Sequence, residues 1–220
     1  MTRGVRMVML GRQGAGKGTQ CVRLSRHYVV PHISTGDMLR ASVREGSALG
    51  DEALRYMDGG ELLPDDVMIG IVEERLAKDD TSTRGYILDG FPRTVAQAEA
   101  LVKITSERPI HVVIDLDVPR DVVVRRLASR RTCQDCGTIY TASGRERLPW
   151  ICDVCGGDVI QREDDKPAAI ERRLTEYEAK TAPLVAWYEE RGLLEIIDGQ
   201  AGTDTVLVRL VTTIDKRRGA

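Results

Sequence analysis

The stretch VRMVMLGRQGAGKGT, residues 5–19, constrains this chain more than any other. An apolar run leads into a glycine-rich loop ending in lysine, and a helical pattern follows to about Tyr28. Strand, glycine loop and helix in that order is the context of a phosphate-binding loop. Glycines let backbone N–H groups point inward around phosphate oxygens, and the helix N-terminus adds positive potential. Gly14, Ala15, Gly16, Lys17, Gly18 and Thr19 are the candidate phosphate ligands, with Lys17 a point charge for the β and γ phosphates. Gly18 follows the lysine where Ser or Thr is usual, so the hydroxyl comes one residue later, at Thr19.

A loop of this kind needs a sheet to stand on, and the remaining pattern supplies one. Short strand-like runs near 29–33, 86–89, 111–118 and 193–198 alternate with helical stretches. One helical region opens at 35 and runs to Asp58; others open at Pro64–Asp65, at 94 and at Pro119. Along a long helix, Leu174, Tyr177, Thr181, Leu184 and Tyr188 share one face, and Pro183 should break or kink it. This alternation predicts an α/β fold, a P-loop doubly wound five-stranded parallel sheet with helices on both faces and ligands at the carboxyl ends of the strands. Two segments do not fit: 34–63, helical with no strand, and 131–164, rich in Cys, Gly and turns. Both read as insertions over that edge of a single domain, 1–220.

DGFPR, residues 89–93, falls at the end of the third expected strand. Asp89 is placed to hold Mg²⁺, directly or through water. Arg93, after the rigid Pro92, can clamp an acceptor phosphate. Arg126 and Arg130 are four apart on one helix face before the cysteines, and Arg162 and Arg173 bracket the exit from them. Elsewhere such arginines would be solvated helix faces worth a few tenths of a kcal/mol each. Beside a phosphate site they suit the charge stabilisation that phosphoryl transfer needs more than it needs a base.

Cys133, Cys136, Cys152 and Cys155 form two Cys-x-x-Cys pairs fifteen residues apart. The spacing matches a closed four-thiolate structural zinc site. An iron centre in the same sulfurs and disulfides are the alternatives. Cys21 reads as a small buried apolar residue. His27, His32 and His111 stand singly at element edges and receive no catalytic role.

The chain has 32 basic and 34 acidic residues, a net charge of −2. That balance argues against a general nucleic-acid or anionic-membrane binder, as few aromatics argue against base stacking. No apolar run reaches membrane-spanning length, and the N-terminus lacks a small-residue cleavage site. The expectation is a cytoplasmic chain with reduced cysteines, and a monomer.

GRQGAGKGTQ (11–20), ISTGDMLR (33–40), DGFPRTVAQAEAL (89–101), the quartet with two arginines before it, and QREDDKPAAIERRLTEYEAKTAPL (161–184) together resemble the nucleoside monophosphate kinases. Within them they are similar to adenylate kinases with a long, zinc-bearing lid. The resemblance covers essentially the whole chain. It implies a core with the P-loop, an AMP-binding arm at 34–63 and a lid at 127–164 that closes over ATP. It implies Mg²⁺ with ATP, structural Zn²⁺, and ATP, AMP and ADP as partners. It carries Thr35, Arg40, Glu61, Leu62, Leu63 and Gly90, Phe91, Pro92 and Arg93 to AMP, with Gln97 on the adenine edge. Arg126 would lie on the ATP adenine, Arg130 on its phosphates, Ile139 and Tyr140 near ATP in the lid, and Gly199, Gln200 and Ala201 at the ATP base. Lys17, Arg93, Arg130, Arg162, Arg173 and Asp89 form the implied catalytic set, with Arg162 and Arg173 at the transferred phosphoryl or the AMP side. Asp164 and Asp165 match an acidic pair that engages lid arginines on closure.

Gln13 stands where this family usually has proline, and its side chain is expected to point away from phosphate. SGRERLPW (143–150) matches the family only loosely. The competing readings are a kinase for another nucleoside monophosphate and a P-loop nucleic-acid protein carrying a zinc ribbon.

Overall fold

The computed structural model describes residues 4–59, 61–144 and 149–219. Part of SGRERLPW therefore lies outside the described residues. The chain runs β1 (Arg6–Leu10), α1 (Lys17–Tyr28), β2 (His32–Ser34), α2 (Thr35–Arg44), α3 (Ala48–Gly59), α4 (Asp65–Leu76), α5 (Asp79–Arg84), β3 (Tyr86–Asp89), α6 (Val95–Ile104), β4 (Val112–Asp117) and α7 (Arg120–Ser129). Three short strands follow, β5 (Arg130–Cys133), β6 (Ile139–Thr141) and β7 (Val159–Ile160). The chain then returns through α8 (Pro167–Glu176), α9 (Pro183–Glu189), β8 (Leu194–Asp198) and α10 (Thr203–Arg218).

The main sheet is parallel and five-stranded, in the order β2-β3-β1-β4-β8. Its strands read as unbroken apolar runs because helices cover both faces. Met7, Met9, Ile87, Val112, Ile114 and Leu116 pack toward Leu24, Leu127, Leu174 and Leu210. Val8, Leu10, Leu88 and Val113 pack the other way, toward Leu63, Val72, Leu101 and Tyr188. Each fully buried large side chain contributes about 1.5–3 kcal/mol of transfer free energy, so this double core is what fixes the loops above it.

The two insertions differ from expectation in detail. Segment 35–58 is two helices, since Gly46 turns left-handed at φ +64° and Ser47 Oγ accepts from Gly50 N at 3.1 Å to start α3. A Cβ on Gly50 would meet the Ser42 carbonyl oxygen at 2.2 Å, so glycine there lets α3 cross α2 closely. The cysteine segment carries an antiparallel three-stranded sheet, order β6-β5-β7. α5 escapes a hydrophobic-period reading because its sequence, DDTSTR, is polar. β2 starts later than expected because Val29, at φ +54°, closes α1. Pro183 acts as foreseen: α8 ends in a π-helical turn at Tyr177–Thr181, and the proline opens α9 at a position that needs no donor. No helix among the described residues is long and apolar enough to cross a membrane.

Candidate active site

The glycine loop leaves β1 and enters α1 with Gly14 and Gly16 at φ +81° and +106°. Added side-chain bulk at Gly14 would strike the Val123 carbonyl oxygen at 2.9 Å, so α7 presses directly on the loop. No side chain caps the α1 N-terminus and no acidic residue sits in its first turn. Its first N–H groups are thus free to receive an anion. Lys17 Nζ bridges the Gly11 and Arg12 carbonyls at 2.6 and 3.0 Å. Burial lowers its pKa, and the Asp89 carboxylate works against that. Arg126 ties the loop to the turn after β8, donating to Ala15 O at 3.0 Å and Gly199 O at 3.3 Å.

A cleft of about 540 Å³ opens above the carboxyl ends of the strands. Gly14, Ala15, Gly16, Lys17, Gly18 and Thr19 line it, with Asp89, Pro92, Arg126, Arg130, Ile139, Tyr140, Arg162, Gly199 and Ala201. A smaller pocket adjoins it, walled by Thr35, Glu61, Leu62, Leu63 and Gln97. The two share one wall, in which Arg40, Arg93 and Arg173 stand beside Gly90 and Gln13.

That wall is strongly positive. Burial and the neighbouring Arg173 pull Arg93 down to about 10, and burial with Arg40 and Arg130 does the same for Arg162. Burial also lowers Arg173, partly offset by Asp164. Cations that disfavour one another in a half-dry cleft form a receptor for polyanions. Carboxylates hold some of them: Arg130 Nε reaches Asp165 at 2.8 Å, Arg173 reaches Asp164 at 2.9 Å, and Arg40 pairs with Asp37. Asp164 and Asp165 thus both engage arginines.

Ser34, on the larger cleft, caps α2 by accepting from Asp37 N, and in the smaller pocket Thr35 Oγ1 donates to Gly90 O at 3.0 Å. Gln97 uses both ends of its amide on the protein, accepting from Arg93 N and donating to Asp65, each at 2.8 Å. Phe91 is 1% exposed and packs in the core, so only its backbone can face a ligand. Gln200 also fails to reach the cleft: its amide and backbone N–H turn to Asp198. Gln13 belongs to the loop shared by both pockets, and its Oε1 is buried without a hydrogen-bond partner. His32, Met57, Met68, Tyr177 and Thr181 also line the pockets and were not singled out as ligands. The helical spacing of Tyr177 and Thr181 was legible, yet it reads equally as a core face.

The four cysteines come together at the tip of the three-stranded sheet, with all four sulfurs within 4.8 Å of one another and none in a disulfide. Cys133–Cys155 and Cys136–Cys152 sulfurs are 3.4 and 3.6 Å apart. Four sulfurs each about 2.3 Å from a tetrahedral ion would stand about 3.8 Å apart, so the quartet fits zinc. Tyr140 braces it: its hydroxyl lies 3.2 Å from Cys152 Sγ and bonds Asp153, and its ring packs on Trp150. The Tyr140 contact draws the Cys152 thiol down to about 6, toward the thiolate a metal needs. Tyr140 thus serves the quartet as well as the cleft edge, while Ile139 stands 49% exposed at its mouth.

The model of the adenylate kinase family matches residues 9–193. An adenylate kinase of Thermodesulfovibrio yellowstonii is 47% identical over 97% of this chain and all of its own. That of Methanococcoides burtonii is 47% identical over 96% of this chain and 98% of its own length. That of Bacillus subtilis is 50% identical over 88% of this chain and 90% of its own.

Proposed function

The chain belongs to the adenylate kinase family, and from that premise we propose how its residues share the work. The reaction is the reversible transfer of the terminal phosphoryl group of MgATP to AMP, giving two ADP, which balances the adenine nucleotides. One observation carries the assignment of residues: two pockets of different size meet at a single arginine wall. A hydrolase needs one nucleotide and a water; a wall of cations between two pockets suits a phosphoryl group passing from one to the other.

ATP takes the larger cleft. Its phosphates lie against Gly14 to Thr19 and the α1 N-terminus, with Lys17 leaving the Gly11 and Arg12 carbonyls for the β and γ oxygens. Arg126, Ile139 and the Gly199–Ala201 turn border the base. AMP takes the smaller pocket, between Thr35, Arg40 and the run Glu61 to Leu63, with Gln97 in the wall beside its adenine. An AMP phosphate oxygen attacks the γ phosphorus in line. The bond to the β–γ bridging oxygen breaks, and ADP leaves with that electron pair. Arg93, Arg130, Arg162 and Arg173 hold the equatorial oxygens, whose charge is the main demand of the transition state. A positioned base is not required. Adenylate kinases use Mg²⁺ with ATP; Asp89 would hold it, directly or through water, and the ion would offset phosphate charge during transfer.

Segment 127–164 acts as the lid and 34–63 as the AMP arm, and their closure keeps water from the γ phosphate. Zn²⁺ in the quartet ties the lid's loops together and does no chemistry. The protein works as a cytoplasmic monomer and binds no nucleic acid. ADP formation from MgATP, with AMP, CMP, UMP and GMP compared as acceptors, tests the assignment: AMP should lead in kcat/KM. Preference for another acceptor would move the chain to a sister specificity. Salt-dependent nucleic-acid binding without AMP-dependent turnover would move it to the zinc-ribbon class.

A further inference from the structure

A second cluster of metal-ligating groups lies under the P-loop, apart from the quartet. In the parallel pair β2–β3, His32 stands opposite Ile87 and Ser34 opposite Asp89. Side chains two residues apart share a face, so His32, Ile87 and Asp89 all face the same side of the sheet. That is the side α1 covers, since Ile87 and Cys21 share one core cluster. Cys21 lies one helical turn beyond Lys17. The Cys21 sulfur, a His32 ring nitrogen and an Asp89 carboxylate oxygen lie within 4.8 Å of one another. His32 Nε2 and Asp89 Oδ2 are 3.4 Å apart.

We propose that Cys21, His32 and Asp89 form a second divalent-cation site, selective for zinc over magnesium, with its fourth position open to the cleft. A tetrahedral zinc at about 2.3 Å from sulfur and about 2.0–2.1 Å from nitrogen and oxygen sets its ligands about 3.3–3.6 Å apart. The His32–Asp89 pair already has that spacing, and the third corner, within 4.8 Å of the other two, needs to close by no more than ~1.3 Å. Thiolate, carboxylate and neutral imidazole together carry two negative charges, matching a divalent ion. Thiolate and imidazole favour zinc, whereas Mg²⁺ demands oxygen. Cys21 is fully buried, but His32 and Asp89 both line the cleft, which gives the ion a way in and room for a water or phosphate oxygen. The nearest ammonium, Lys17, is turned to the Gly11 and Arg12 carbonyls.

Asp89 cannot hold this ion and serve magnesium at once, so zinc here competes with MgATP. That consequence rests on the proposed role of Asp89; the binding site does not. The test is equilibrium dialysis of the full chain against buffered free Zn²⁺, with bound zinc counted by elemental analysis. The decisive quantity is the difference between the wild type and the variants Cys21→Ser and His32→Gln, which cancels the quartet's own occupancy. One zinc fewer per chain in both variants, each folded with the wild-type Tm, is expected. Equal stoichiometry and equal affinity in all three would overturn the site. In the kinase assay, zinc that inhibits the wild type should need at least a tenfold higher concentration in each variant. Unchanged inhibition beside a lost zinc would overturn the competition alone. Loss of AMP-dependent turnover in all three without added zinc would count against the kinase reading and leave the binding result standing.

Discussion

The Asp165 carboxylate, fully buried, accepts two hydrogen bonds from the Arg130 guanidinium, at 2.8 Å from Nε and 2.5 Å from Nη2. The two residues stand at opposite ends of the cysteine-bearing insertion, so this pair pins its base. Arg130 is 17% exposed, which leaves little water to replace a lost partner. Asp165→Asn keeps an acceptor but removes the charge. It should destabilise by up to about 3 kcal/mol, roughly 6–12 °C in Tm for a chain this size. Calorimetry measures the loss, and KM for ATP should rise with it.

Arg93 is the reverse case, a half-buried cation beside Arg173 that desolvation and repulsion have drawn down to about 10. Arg93→Met removes a charge that the folded state tolerates poorly. Tm should hold or rise while kcat/KM falls by about 100-fold or more, the cost of one lost transition-state donor. A matching loss of both would mean that the side chain only supports the fold.

Much of this was legible from local pattern. β3 and the P-loop helix follow from apolar runs met by glycine, and the quartet follows from its spacing. The break at Gly46 was not legible, because only its left-handed φ distinguishes a helix pair from one helix. Phe91 lies inside a motif stretch and Gln200 in the turn after the last strand, yet their side chains belong to the core and to Asp198. A motif carries a loop's place in the fold; packing decides which of its side chains face the ligand.

Cys152 is 3% exposed and lies 3.6 Å, sulfur to sulfur, from Cys136. Cys152→Ala should lose zinc and lower Tm, because a small sheet with so few core residues leans on its metal. Turnover at low temperature should stay within about tenfold of wild type, as a closed four-thiolate site offers no catalytic position. Zinc analysis, a thermal melt and an assay at 15–20 °C on one preparation separate these effects. Complete loss of kcat with unchanged folding would mean that the metal does more than tie loops.

Gln13 Oε1 sits buried and unpaired between the two pockets. An unpaired buried acceptor costs about 1–3 kcal/mol, so Gln13→Leu should leave Tm equal or higher. KM for AMP should rise several-fold, since a branched side chain at this position changes the shape of the wall that the two pockets share. Unchanged steady-state constants would reduce Gln13 to a space-filling residue.

The shared wall of Arg40, Arg93 and Arg173 is the centre of the account, and the stoichiometry of phosphoryl transfer tests it most directly. With MgATP in excess, the initial rate of ADP formation should rise saturably with AMP, two ADP should appear for each AMP consumed, and almost no phosphate should be released when AMP is absent. Phosphate release from MgATP at the same rate with and without AMP would contradict it.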